Sequence, residues 1–407
     1  MTEERIIELL QRTPIPAERE AEERGWRVVR AAFEERSPAR RPARRWNRLA
    51  IAIAIGLLAL VLVLTPAGAR VADLVHDVVH PGAEHPRPLT SLPAPGPLLV
   101  NSPKGAWVVS DDGSKRLLGH YRDSTWSPHG YFVATSSGHE LTAVEPGGKV
   151  HWSLTRAGHV SDPRWAPSGY RIAYRTAGSM RVVAGDGTDD HLLARGVAAT
   201  APAWRPVPFP EAKVSPTGAG ANVLALATTD GRVELIDADS RRVMWRSAPG
   251  PPPSELDWSA DGSRLVALSG SSLRLFASRG ELLRTQQLPS QIGTSTGEFA
   301  PTGRTFAVAG TSSAHGRTRS QALLLRFGSG PASTERLLAV PGRFTGVSWS
   351  PNGRWLLVAW RDADQWLFLS PARPRRIKAV GGISGQFNPG ATGRSAFPHL
   401  AGWCCVR

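Results

Sequence analysis

The stretch VSWSPNGRWLLVAW, residues 347–360, sets a tight turn between a tryptophan and a run of large apolar side chains. Pro351 presets φ at the second turn position, Asn352 suits the third, and Gly353 accepts the positive φ that follows. Ahead of the turn, Val347 and Trp349 alternate with serines. Behind it, WLLVAW (355–360) is β-prone throughout. The stretch reads as a hairpin: short strand, tight turn, long buried strand.

Near copies recur. WSPHG spans Trp126 to Gly130, WAPSG Trp165 to Gly169, WSADG Trp258 to Gly262 and FAPTG Phe299 to Gly303. A degraded WRP begins at Trp204 and a degraded FNPGATG at Phe387. Successive aromatic markers lie 39, 39, 54, 41, 50 and 38 residues apart. A period of about 40 residues with several short strands per repeat is the pattern of β-propeller blades. After most markers come an apolar strand, a polar turn, a second strand, a glycine-containing turn and a third strand, as in 264–288. The expected fold is all-β, a ring of four-stranded blades. Each marker aromatic should pack between neighbouring blades, and each turn glycine should hold a positive φ.

A lone four-stranded sheet cannot bury both faces, so the row of blades must close. Residues 98–118 supply three strands with no marker before them, and the Phe387 marker supplies a first strand late in the chain. One blade should therefore combine both ends. Seven blades result, with six or eight as the neighbouring counts; about 310 residues over seven is about 44 each. At Trp204 the turn is replaced by RPVPFPEAKVSPTGAGAN, and SPTG at 215–218 is a second candidate for it.

The W-S-P-x-G turn followed by a strand and a glycine-ended hairpin resembles the WD40-like repeat of TolB-type bacterial propellers. GRVELIDADSRRVMWRS, residues 231–247, is similar to a quinoprotein or WD40-type blade ending. The resemblance covers about residues 97–400 and implies fold, since propellers host many unrelated roles.

Residues 49–64, LAIAIAIGLLALVLVL, carry no polar side chain. Extended to Ala69, the run is long enough to span a hydrocarbon core, and 47–69 is the expected transmembrane helix. Six arginines from Arg36 to Arg48 precede it and Arg70 follows, which places the N-terminus in the cytoplasm and the propeller outside. Ala67-Gly68-Ala69 also resembles a signal-peptide cleavage site, and both readings export the propeller. Residues 1–46 read as amphipathic helices and a basic linker, with Trp26, Val29 and Phe33 at helical spacing. Such a stripe suits a membrane surface or a cytosolic partner of residues 1–36. Residues 70–97 read as a short juxtamembrane helix and a proline-rich stalk.

The formal net charge is +15, and beyond Arg48 37 basic residues still face 25 acidic ones. A basic outward domain could meet anionic envelope polymers; GC-rich coding with scattered arginines accounts for the same balance. An exported domain argues against nucleic acid. No catalytic constellation stands out, and no cofactor is expected. GTSTG (293–297) matches G-x-S-x-G but leads into a blade strand rather than a strand-to-helix elbow. Asp186, Asp189 and Asp190 lie near one Asp-Gly turn without the length of a calcium loop. His76, His80 and His85 have metal-compatible spacing but read as a solvated helix face. Cys404 and Cys405 are the only cysteines and could pair as a vicinal disulfide. A non-enzymatic, membrane-anchored binding module for a protein or envelope ligand is the leading expectation. The alternative is a transmembrane sensor whose N-terminal helices hold a cytosolic regulator, a layout that resembles anti-sigma factors. The binding loops are expected on the face away from the W-S-P-x-G turns, at 247–255, 289–297, 309–320 and 361–365.

Overall fold

The computed structural model describes residues 88–207, 220–289, 292–314, 316–328, 332–390 and 396–405. The expected N-terminal helices, the apolar run at 47–69 and most of the stalk lie outside these residues. Among the described residues, no helix is long and apolar enough to cross a membrane.

The quoted hairpin forms as the sequence dictates. Phe344–Trp349 pairs antiparallel with Leu356–Trp360. Ser350 closes the turn twice: its N–H donates to Trp355 O and its Oγ accepts from Trp355 N. Gly353 sits at φ 66°, and Gly130, Gly169, Gly262 and Gly303 share that left-handed conformation. Successive side chains of a strand point to opposite faces. Leu356, Val358 and Trp360 accordingly join one apolar cluster, and Leu357 and Ala359 another. The run is apolar throughout because both faces of the sheet are covered.

That pattern repeats around the ring. The described residues form seven four-stranded antiparallel sheets. Blades 2 to 7 each take four consecutive strands: 123–155, 160–195, 203–246, 255–287, 294–341 and 344–381. Blade 1 is composite. Its outer three strands are Leu98–Ser102, Gly105–Val109 and Lys115–Gly119, and its innermost is His399–Trp403. Leu98 pairs with Trp403, and Asn101 with His399. Seven apolar clusters fill the seven interfaces between successive blades.

Two expectations are corrected. Phe387 is not on a first strand. It ends a short helix, α1 (Ile383–Phe387), and is fully buried against Trp107 and Trp366. The preceding GGISGQ has too few β-branched residues to hold a strand, and the second strand it would lead into is already supplied by Leu98–Ser102. The true seventh marker is Trp403, with Cys404-Cys405 where other repeats carry Ser-Pro or a similar pair. Cys404 N–H donates to Pro97 O, the bond that Ser350 makes to Trp355 O in blade 7. The second correction concerns residues 88–97, assigned to the stalk by composition. Leu89, Leu92 and Ala94 are buried between blades 7 and 1. Leu92 N–H donates to Asp111 O, and Gly96 N–H to Asp111 Oδ1. This segment is part of the propeller.

In blade 4 the first strand shrinks to Ala203–Trp204. Residues 208–219, including the SPTG alternative, lie outside the described residues.

Candidate binding groove

The markers themselves are occupied with holding the ring. Trp349, Trp258, Trp204 and Trp126 each donate Nε1–H to the carbonyl just before the preceding blade's marker. The acceptors are Glu298, Ala203, Arg164 and Gly402, at 3.0, 3.2, 2.8 and 3.3 Å. Phe299 has no such donor. Trp165 and Trp403 bond within their own turns, to Gly169 O and Gly96 O. All seven except Trp165 are buried; Trp165 is half-buried.

A second set of bonds runs in the same direction, from each blade's first strand back to the blade before it. The innermost strand of a blade has no ladder partner on its axial side, and its N–H groups need acceptors. Asp257 Oδ2 accepts from Phe299 N at 2.6 Å, Glu298 Oε2 from Trp349 N at 3.3 Å, and Ser348 Oγ from Trp403 N at 3.2 Å. Glu255 accepts from Thr296 Oγ1 and Gly297 N. Burial pushes Asp257 up to about 7, against the pull of the Phe299 N–H, with the Glu255 charge adding to the rise. Burial and the Asp257 charge hold Glu298 well above the usual carboxylate range, and burial also raises Glu255. All three carboxylates are raised, chiefly by burial. Their oxygens bridge blade to blade, so they read as ring fasteners.

The other sequence candidates are similarly engaged. Ser295 of GTSTG lies on the first strand of blade 6 and bonds Gly270 O. Asp190 binds Tyr174, Arg156 and Arg181. Asp189 meets Arg171 and His191. Asp186 caps Thr188. Among the described residues no group of His, Cys, Asp and Glu is arranged to hold a metal ion. His76, His80 and His85 lie outside them. Cys404 and Cys405 are joined as a disulfide.

Open space lies on the face formed by the marker turns and by the turns between third and fourth strands. One cavity of about 680 Å³ sits between blades 2 and 3, walled by Tyr131, Phe132, Trp152, Trp165, Tyr170 and His151. A second of about 1160 Å³ sits between blades 1 and 2, bordered by Pro97, Asp111, Asp112, Glu145 and Cys405. Both include Tyr131 and Phe132, so they form one groove across three blades.

The local sequence explains the aromatic wall. In blades 2 and 3 the residue after the turn glycine is Tyr131 or Tyr170; in blades 5, 6 and 7 it is Ser263, Arg304 or Arg354. The turn presents this position outward. Tyr131 is 62% exposed and Tyr170 52%. Phe132 stacks on Trp165 across the blade boundary at 6.2 Å and meets His151 edge-on at 4.7 Å. Trp152 is fixed by its Nε1–H to Gly185 O, and Gly187 packs under its ring. At the blade 1 end, Cys405 Sγ lies 3.1 Å from Pro128 O.

The groove's charge opposes that of the whole domain. Asp111, Asp112, Glu145 and Asp186 line it. Ser114 holds Asp112 below its ordinary value and Thr188 does so for Asp186, so both are ionised at neutral pH. Of the cations, Arg171 is tied to Asp239 at 2.9 Å, and Arg116 stands at the blade 1 end. The sequence reading expects the binding loops on the opposite face and does not single out this groove. The signal was present: WSPHGY and WAPSGY put a large aromatic where a turn calls for a polar residue.

No protein-family model matches the chain, and no curated protein matches it in sequence. Solved structures do. A Bacteroides uniformis protein provisionally assigned as a 6-phosphogluconolactonase aligns with a TM-score of 0.50 at 14% identity, over 70% of this chain and 94% of its own. The likeness is one of fold. Hydrazine synthase of Kuenenia stuttgartiensis aligns with a TM-score of 0.49 at 16% identity, covering 71% of this chain and 79% of its own. The Swd1 β-propeller domain of Myceliophteria thermophila gives 0.49 at 12%, covering 65% and 87%.

Proposed function

We propose that the chain is a non-enzymatic binding module: a β-propeller held at the outer side of a membrane by residues 47–69, taking its ligand in the groove of blades 1 to 3. The observation that carries the binding role is the pair of exposed tyrosines, Tyr131 and Tyr170, over an ordered aromatic wall. Large exposed aromatics rimmed by polar groups mark interaction sites. The three raised carboxylates, Glu255, Asp257 and Glu298, are engaged with backbone amides between blades. The anchoring part rests on the apolar run and the arginines before it.

Hydrogen exchange on the full chain, with and without envelope extract, tests the binding reading. Protection should concentrate at 127–132 and 168–171. Protection at 247–255 and 361–365 instead would move the site to the opposite face, and no protection would remove the module reading. For topology, a reporter fused after Pro97 should be active only outside the cytoplasm. Cytoplasmic activity would refute the orientation.

A further inference from the structure

Resting on that reading, we infer that the groove takes a neutral saccharide chain, with sugar rings stacked on Tyr131 and Tyr170 and hydroxyls donated to Glu145 and Asp186. Four observations converge on this class.

The first is extent. Cavities of about 1160 and 680 Å³ meet at Tyr131 and Phe132, so the opening crosses three blades. Adjacent sheets pack about 10 Å apart, so equivalent turn positions of neighbouring blades are separated by about that distance. A single small metabolite would leave most of this surface uncovered; a chain of repeating units would follow it.

The second is the surface on offer. The two tyrosines occupy the same position of consecutive turns, WSPHGY and WAPSGY, so the aromatic platform itself repeats. Pyranose rings have apolar C–H faces and a belt of hydroxyls. Such a ligand needs flat aromatic faces with acceptors beside them, and Glu145 and Asp186 lie in the same walls.

The third is the closed backbone. A peptide lying extended in a groove draws affinity from main-chain hydrogen bonds. Here the lining turns use their own amides. Gly130 N donates to Ser127 O, Gly169 N to Ala166 O, Gly148 N to Glu145 O and Gly187 N to Ala184 O. These four amides are closed to a ligand, which favours contacts made by side chains and so suits a sugar better than an extended peptide.

The fourth is charge. The propeller is basic overall, but Asp111, Asp112, Glu145 and Asp186 make the groove acidic. A phosphate-bearing or uronate polymer would be repelled there. Neutral hydroxyls donate well to carboxylates.

The test is titration calorimetry on the full chain in a detergent without a sugar headgroup. The probes are cellohexaose, chitohexaose and maltohexaose, with hexa-arginine and polyphosphate as the competing chemistries. At least one hexasaccharide should bind more tightly than about 10 mM, with little dependence on salt. Tyr131→Ala and Tyr170→Ala should each weaken it about tenfold while leaving the melting curve in place, because both rings are exposed. Failure of all three sugars to bind overturns the inference, as does binding that survives both substitutions. Hexa-arginine binding that is lost in Tyr170→Ala would overturn the saccharide class yet keep the groove. Hydrogen-exchange protection confined to the opposite face would remove the groove itself.

Discussion

Asp257 gives the propeller an unusual dependence on pH. Its carboxylate is pushed up to about 7 from an ordinary 3.8, chiefly by burial. Below pH about 4, folded and unfolded chains both hold its proton. Between there and about 7 the unfolded chain releases it and the folded chain does not. The unfolded state then binds fewer protons, and stability falls as pH rises. That rise in pKa corresponds to about 4 kcal/mol, an upper bound because the side chain is half-buried and keeps some water. Glu255 and Glu298 are raised in the same direction and titrate together with it. Acids depressed by their partners act oppositely, but lower on the scale: Asp261, held at about 2 by Ser259 and Ser263 despite burial, withdraws its contribution only below its ordinary 3.8. The window from about pH 4.5 to 7 therefore belongs to the raised carboxylates. Urea unfolding followed by tryptophan fluorescence should show a midpoint that falls across this window. Asp257→Asn stands in for the protonated acid: its side-chain oxygen still accepts from Phe299 N, while its amide replaces the oxygen that accepts from Trp258 N. The variant should match the parent only below about pH 4 and exceed it by a margin that grows up to about pH 7, flattening the profile. A variant less stable than the parent at both ends of that range would show that Asp257 is ionised in the folded ring, and the reasoning would fail.

Trp349→Ala removes a buried indole and its bond to Glu298 O, and should destabilise by about 3–5 kcal/mol in the same assay. Trp165→Ala, which loses a half-buried ring bonded within its own turn, should destabilise less; the reverse order would contradict the blade-linking role of the markers. Gly353→Val, at φ 66° with no atom nearer than 3.5 Å to the added carbon, should act through backbone strain and cost less than Trp349→Ala. Removing residues 399–407 takes away the innermost strand of blade 1 and Trp403. The cooperative melting transition should drop sharply, and an unchanged melt would argue against closure by that strand.

The repeat was legible because every blade meets the same packing problem. Two covered faces demand a continuous apolar second strand, and a short first strand needs a reliable turn into it. WSPNG followed by WLLVAW carries both demands in fourteen residues with VS before it. The composite blade was legible in outline from the unmarked strands at 98–118. Its closing strand was misplaced, since the Phe387 motif matches the pattern of residue types without a strand before it, and Trp403 is followed by two cysteines rather than a turn. The turn of the closing repeat is not made by neighbouring residues at all: Cys404 bonds to Pro97 from the other end of the domain. Such a turn leaves no local signature. The candidate groove stayed unmarked in the sequence for a different reason. Treating every marker turn as scaffold hid the one position, after the glycine, where two of them differ from the rest.

Blade 1 also sets an order of events. Its innermost strand follows every other strand of the ring in sequence, so a chain growing from its N-terminus can assemble blades 2 to 7 only as an open arc. Until His399–Trp403 emerges, the axial side of Leu98–Ser102 and the indole of Trp126 both lack their final partners. A product truncated anywhere before that strand would stay open, with two unsealed blade faces, whatever the quality of the six blades already made. Closure is in this sense a late event set by geometry: the ring cannot seal until this strand has been made.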